Sequence, residues 1–120
     1  MIAMIFEYQL NEDTLDTYNP LSRKMWELVN EIDGFISIER FRSESQPDKL
    51  LGLGFFRDVE AVQEWRNHPD HRQAQALGRM QLFTHYRLRM AEVLRDYDLT
   101  RREQVPQDSL LIHDTDKGAN

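Results

Sequence analysis

The 120-residue sequence contains no cysteine. That excludes a disulfide framework, thiolate catalysis and any zinc site built on Cys ligands. The sequence also lacks an excess of positive charge. Its 15 Lys and Arg stand against 21 Asp and Glu, for a net charge of −6 and a pI near 5.1. Phosphate backbones require a basic face, so nucleic acid is not expected as a partner. Arg87, Arg89, Arg95, Arg101 and Arg102 cluster late in the chain, and solvated strand edges and ion pairs are the plain expectation for them. No apolar run approaches the roughly 20 residues that a membrane span needs. The opening MIAMIFEYQL carries Glu7 and has neither a basic start nor a small-residue cleavage site, so it does not read as a signal peptide. A soluble cytoplasmic protein without membrane contact is the expectation. P-loop, dinucleotide and Ser/His/Asp signatures are absent as well.

What is present suffices for one domain with a core: 40% of residues are hydrophobic and 10% aromatic. Ile2 to Leu10 reads as a strand and stops at the turn-like Asn11-Glu12-Asp13. Thr14 to Ile32 reads as a helix, with Leu21, Met25, Leu28, Val29 and Ile32 on one face. Asn19-Pro20 predicts an irregular first turn or a restart there. Gly34 sits where a helix cap belongs. Phe35 to Ser43 alternates as a strand, placing Phe35, Ser37, Glu39 and Phe41 on one face and Ile36, Ile38 and Arg40 on the other. After a turn at residues 45–48, Leu50 to Phe56 is its hairpin partner, and Gly52 and Gly54 allow close packing on one face. Asp58 can cap a helix running from Val59 to near Gly78. Phe83 to Asp96 reads as a long last strand, with Tyr86, Leu88, Met90 and Leu94 opposite Arg87, Arg89, Ala91 and Val93.

This β-α-β, β-α-β order is the ferredoxin-like split βαβ plan of the α+β class. It implies a four-stranded antiparallel sheet with two helices on one face. The other face lacks a third layer of its own, and a second copy of the chain is the economical cover, which predicts a homodimer. The last strand looks long enough to reach the partner. Residues 1–97 are read as the domain and 98–120 as a polar tail. In that tail only Leu110 to Ile112 could dock, and the terminal DTDKGAN is expected to fray.

One stretch concentrates the candidate chemistry: EWRNHPDHRQAQALGR, Glu64 to Arg79. Pro69 lacks the N–H that a helix interior uses, so the helix should bend or restart at Asn67-His68 with Pro69 in the new first turn. Three readings follow. Trp65 is core and the histidines are surface residues at a kink. Alternatively, Trp65 with His68 or His71 lines a cavity between helix and sheet. The third is a metal site, but two histidines at i, i+3 are too few ligands. Elsewhere, Phe6 and Tyr8 share a strand face, and only one of His85 and Tyr86 can enter a cavity. Glu39 is either ion-paired at a dimer surface or a general base. Trp26 lies off the apolar stripe of its helix, as an interface residue would.

The segments DGFISIERF, KLLGLGFFRD, VEAVQEWRNHPDHRQAQALGR and YRLRMAEVLRDY, in that order and spacing, resemble the antibiotic biosynthesis monooxygenase (ABM) family. The resemblance covers roughly residues 2 to 97. It rests on Gly34-Phe35 entering the second strand, the Trp65-x-x-His68-x-x-His71 helix and the long last strand with its tyrosine. It implies a dimeric α/β barrel and oxygen chemistry. Some members oxidise aromatic polyketides to quinones without metal or organic cofactor, others degrade haem, and others have ill-defined chemistry. In both enzyme groups a tryptophan on the second helix faces the pocket, and Trp65 matches it. In haem-degrading members a histidine about ten residues later binds iron, and an asparagine lies in the first strand. Here those positions are Gln75 and Tyr8, which speaks against that mechanism.

The resemblance and the residues together lead to an expected cofactor-free oxidation of a small aromatic, hydroquinone- or polyketide-like molecule. Trp65, Phe6 and Tyr8 would form the apolar wall. His71, His68 or Arg72 would accept the proton or stabilise the anion, and Tyr86 would hydrogen-bond a carbonyl. No metal is expected. Haem binding and a non-catalytic small-molecule binding module on the same fold are the alternatives.

Overall fold

The structure, a computed structural model, describes residues 1–11 and 13–114. Four strands, β1 (Ile2–Leu10), β2 (Phe35–Arg42), β3 (Lys49–Phe56) and β4 (Phe83–Glu92), form one sheet in the order β2-β3-β1-β4. Each neighbouring pair is antiparallel. Helix α1 (Leu15–Val29) links β1 to β2, and α2 (Val59–Asn67) with α3 (Pro69–Leu77) links β3 to β4. This is the ferredoxin-like α+β plan expected from the element order. The helices lie on one sheet face, and Val29, Ile32, Phe56, Ala61 and Trp65 form the buried core between the layers.

Local chemistry sets the joints. Gly34 adopts φ +91°, and a Cβ there would come within 2.8 Å of Ala61 Cβ. Only glycine combines that backbone angle with that close an approach. Its carbonyl accepts from Arg57 N–H at 2.7 Å, which ties the start of β2 to the end of β3. Asp58 caps α2 by accepting from Ala61 N–H at 2.9 Å. The break expected at Asn67-His68 is present. His68 leaves helical geometry with ψ 129°, and Pro69 opens α3, where a missing N–H costs nothing.

The structure departs from the sequence reading at four places. Helix α1 runs unbroken through Pro20. The carbonyl that Pro20 leaves without a donor belongs to Asp16, and both residues are exposed, so water can serve it. Phe35 does not share a face with Ser37, Glu39 and Phe41. A register shift between Phe35 and Ser37 inserts one extra residue and turns Phe35 into the core, edge-to-face with Phe56 at 5.7 Å. The helical chain does not stop at Gly78 but continues as one wide turn, Gly78–Leu82. There the Phe83 ring lies against Gly78 so closely that a Cβ would sit 2.6 Å from it. Strand β4 ends at Glu92, not Asp96, because β1 has no residues left to pair. Ile2 already faces Glu92, and Val93 N–H closes the ladder on Met1 O at 3.0 Å. Leu110, Leu111 and Ile112 are 39%, 59% and 70% exposed. Of the terminal DTDKGAN, Thr115 to Asn120 lie outside the described residues.

The outer sheet face carries Ile5, Leu51, Leu53 and Phe55 with no helix over them, and Phe41 is 42% exposed. In the middle of that face Glu7 pairs with Lys49 at 3.3 Å and Arg89 at 3.5 Å. Arg101 pairs with Asp98 at 3.2 Å, and the Arg102 guanidinium sits over the Tyr97 ring. Several of the late arginines are thus engaged locally, as expected. Among the described residues no helix is long and apolar enough to cross a membrane.

Candidate active site

Between the helices and the inner sheet face lies a cavity of about 650 Å³. That falls in the roughly 300–1,000 Å³ range of small-molecule sites. It exists because β3 puts glycine where larger residues would fill the floor. Gly52 lines it beside Phe6 on the neighbouring strand. Met4, Leu88 and Met90 extend an apolar wall along β1 and β4, and Met25 closes it from α1.

Trp65 lies at the α2–α3 break, only 5% exposed. The imidazole of His71 stacks on its indole, with ring centroids 4.0 Å apart and planes 13° from parallel. The break produces this pair. Restarting the helix at Pro69 swings His71 back over Trp65, whose carbonyl, freed near the end of α2, lies 2.9 Å from His71 Nδ1. Gln75 Nε2 lies 3.1 Å from the same nitrogen. The carbonyl only accepts, so when Nδ1 donates to it Nε2 keeps its lone pair. Burial pushes the His71 pKa below its ordinary value, which keeps the ring neutral near pH 7. The cavity therefore contains an uncharged imidazole, held by the indole, the Trp65 carbonyl and the Gln75 amide, with Nε2 able to accept a proton when Nδ1 donates to the carbonyl.

At another part of the wall stands an aromatic cluster. Phe6 stacks on Tyr8 at 4.8 Å, and Phe83 and Tyr86 lie within 6.0 Å of Phe6. Tyr8 is 2% exposed, and its hydroxyl accepts from the Tyr18 hydroxyl of α1 at 2.6 Å. Burial, then the charge and hydrogen bond of Tyr18, push the Tyr8 pKa far above the usual phenol value. Tyr8 is thus a neutral donor at pH 7. Arg40, on β2, reaches over the Tyr18 ring with its guanidinium carbon 5.9 Å from the centroid.

Of the residues singled out from sequence, Trp65, His71, Phe6, Tyr8 and Tyr86 line this one cavity. His68 and Arg72 do not. His68 Nδ1 accepts from Asp70 N–H at 3.2 Å and so caps α3, though its ring stays 5.9 Å from the indole. Arg72 is exposed and donates to Asn67 Oδ1 at 2.6 Å and Gln75 Oε1 at 3.2 Å. Glu39 lies on the lining, and so does Trp26, 55% exposed. Sequence reasoning missed Tyr18 and Phe83 as site residues and did not give Arg40 a role. The only signal for Tyr18 was a tyrosine early in an amphipathic helix. Gln75, at the position where an iron ligand would stand, lines the cavity with both ends of its amide engaged. Nε2 donates to Arg66 O at 3.1 Å, and Oε1 accepts from Arg72. An uncharged amide so held does not fit an axial ligand to haem iron.

A split-βαβ domain with a tryptophan-walled cavity between helices and sheet is the class that fold and site define. The model of the family described as antibiotic biosynthesis monooxygenase matches residues 1–77, and the chain belongs to that family. It is 34% identical over 108 residues to "Jasmonate monooxygenase ABM" of Pyricularia oryzae, covering 88% of this chain and 50% of that protein. The chain therefore spans about half the length of this curated relative. It is also 28% identical to the uncharacterized protein YqjZ of Bacillus subtilis, covering 76% of this chain and 77% of YqjZ. Among solved structures, Rv0793 of Mycobacterium tuberculosis superposes with a TM-score of 0.71 at 18% identity, covering 81% of this chain and 98% of that one. At that identity the likeness speaks for the fold alone.

Proposed function

We propose that this chain oxidises a small aromatic, hydroquinone- or polyketide-like compound with O2 and no bound cofactor. The observation that carries the reading is the stacked Trp65–His71 pair, which presents a neutral imidazole acceptor to an apolar cavity. An acidic C–H or O–H of the substrate gives its proton to His71 Nε2. The resulting carbanion or phenolate passes an electron to O2, and the radical pair joins as a peroxide. Loss of water from the peroxide leaves a carbonyl. For a ring methylene the balance is one methylene and one dioxygen in, one ketone carbonyl and one water out. The substrate supplies every electron. The apolar walls exclude water from the anion, and Tyr8 and Tyr86 offer donors to the oxygen where charge develops.

Oxygen uptake by chelator-treated protein with hydroquinones, naphthols, anthrones and jasmonate, the last included for the fungal relative's name, tests this. The expected result is turnover above autoxidation that survives the chelator. No uptake with any of them rejects the oxidation, and a haem titration followed in the Soret band then separates haem binding from a plain binding module.

The apolar outer sheet face supports the same homodimer that the element order suggested. Sedimentation at micromolar concentration is expected to give twice the 14.3 kDa chain mass; a monomer sinks the dimer.

A further inference from the structure

The cavity walls are apolar, yet three arginines reach the lining from three different elements: Arg40 on β2, Arg66 on α2 and Arg79 on the wide turn before β4. The chain as a whole carries −6, so cations gathered here run against its general charge. Among the described residues none of the three is ion-paired, whereas Arg57, Arg89 and Arg101 each have a carboxylate. One carboxylate, Glu39, also touches the lining. As the strand neighbour of Arg40, it sends its side chain off the opposite face.

Arg40 is the best placed of the three. Its partner across the sheet is Gly52, on the cavity floor, so no side chain fills the space beside its stem. Its head lies over Tyr18, whose hydroxyl donates to Tyr8. A hydroxyl that accepts this bond keeps its own proton to give, and Tyr8 faces the cavity. The charge of Arg40 acts on that same hydroxyl, opposing the upward push on its pKa. A guanidinium and an O–H thus converge at one end of an apolar space, the donor set that a carboxylate or phenolate oxygen satisfies.

We propose that the cavity takes an anionic ligand, a compact apolar ring bearing one carboxylate or comparably acidic oxygen, with the charge held by Arg40 and the Tyr8 hydroxyl. This deepens the oxidation reading and rests on it only for what then happens to the ring. It predicts selection by charge among molecules of equal shape.

The test is isothermal titration calorimetry of the wild-type chain and of Arg40→Gln and Arg40→Lys, with 1-naphthoate and its neutral isostere 1-naphthamide. Wild type is expected to bind the acid about tenfold more tightly than the amide. That preference should vanish in Arg40→Gln and persist in part in Arg40→Lys. Because Arg40 is exposed, the preference should also shrink at high salt. Equal affinity for both ligands, a preference that survives Arg40→Gln, or no binding of either overturns the proposal. Failure of the oxidation reading looks different: the charge preference is present, but no ligand of this kind drives oxygen uptake.

Discussion

Truncating Trp65 to alanine is expected to lower the unfolding free energy by about 3–5 kcal/mol and to abolish oxygen uptake. The indole is 5% exposed and packs in one cluster with Val29, Ile32, Phe56 and Ala61. Its removal loses the transfer free energy of a large aromatic and leaves a void that the rigid sheet below cannot close. It also strips His71 of the surface on which it stacks at 4.0 Å. The imidazole is then left with only its polar contacts at Nδ1, to the residue 65 carbonyl and to Gln75 Nε2. Structure and chemistry are therefore coupled at this residue, and one variant cannot separate them. Trp65→Phe does. It keeps an aromatic wall and most of the packing, so urea denaturation should show a much smaller loss than for the alanine variant, with turnover reduced rather than absent. Should Trp65→Ala unfold within about 1 kcal/mol of wild type, the indole is not the keystone of the core that its burial indicates.

The coarse plan could be read from the sequence because its signals are local and repeated. The apolar run of β1, the hairpin partner β3 with its two glycines, the 3.6-residue stripe ending at Val29 and Ile32, Gly34 at a helix end and Pro69 at a helix restart each follow from one short window. The parts that escaped depend on contacts across the fold. A strict alternation cannot see the extra residue between Phe35 and Ser37, and a single bulge reverses the face of everything before it. The end of β4 was set by where β1 runs out of partners, not by the apolar pattern at residues 93 and 94. Pro20 was tolerated because the carbonyl it orphans faces water, and exposure is not written in the residues nearby. The same holds for the site. Trp65 and His71 were legible as neighbours at a break, and Phe6 and Tyr8 as one strand face. The bond between Tyr18 and Tyr8 depends on how α1 rolls onto the sheet. His68 looked as suitable as His71 by spacing. It was assigned a cap instead because the residue before a helix restart is where a side chain meets the free N–H of the next turn.

Replacing His71 by glutamine is expected to reduce kcat by about 100-fold with little change in KM, since it removes the proton acceptor while the cavity walls remain. Glutamine retains an N–H that can reach the Trp65 carbonyl, so the fold should survive the change. The pH profile gives the sharper reading. Burial lowers the His71 pKa below 6.5, so the base form persists into mildly acidic solution. The acid limb of wild-type turnover should accordingly lie below pH 6.5 and disappear in His71→Gln. Stability follows with the same sign. Below the unfolded value of about 6.5 the unfolded chain binds this proton more readily than the native one. The contribution of His71 is therefore complete above pH 6.5 and declines as the pH falls below it. Denaturation curves for wild type should weaken across that interval more steeply than those of His71→Gln. A wild-type acid limb at or above 6.5, or one unchanged in the variant, would assign the proton to a different group. The stacked imidazole would then be a packing element of the wall, and the oxidation would need its base elsewhere among the groups lining the cavity.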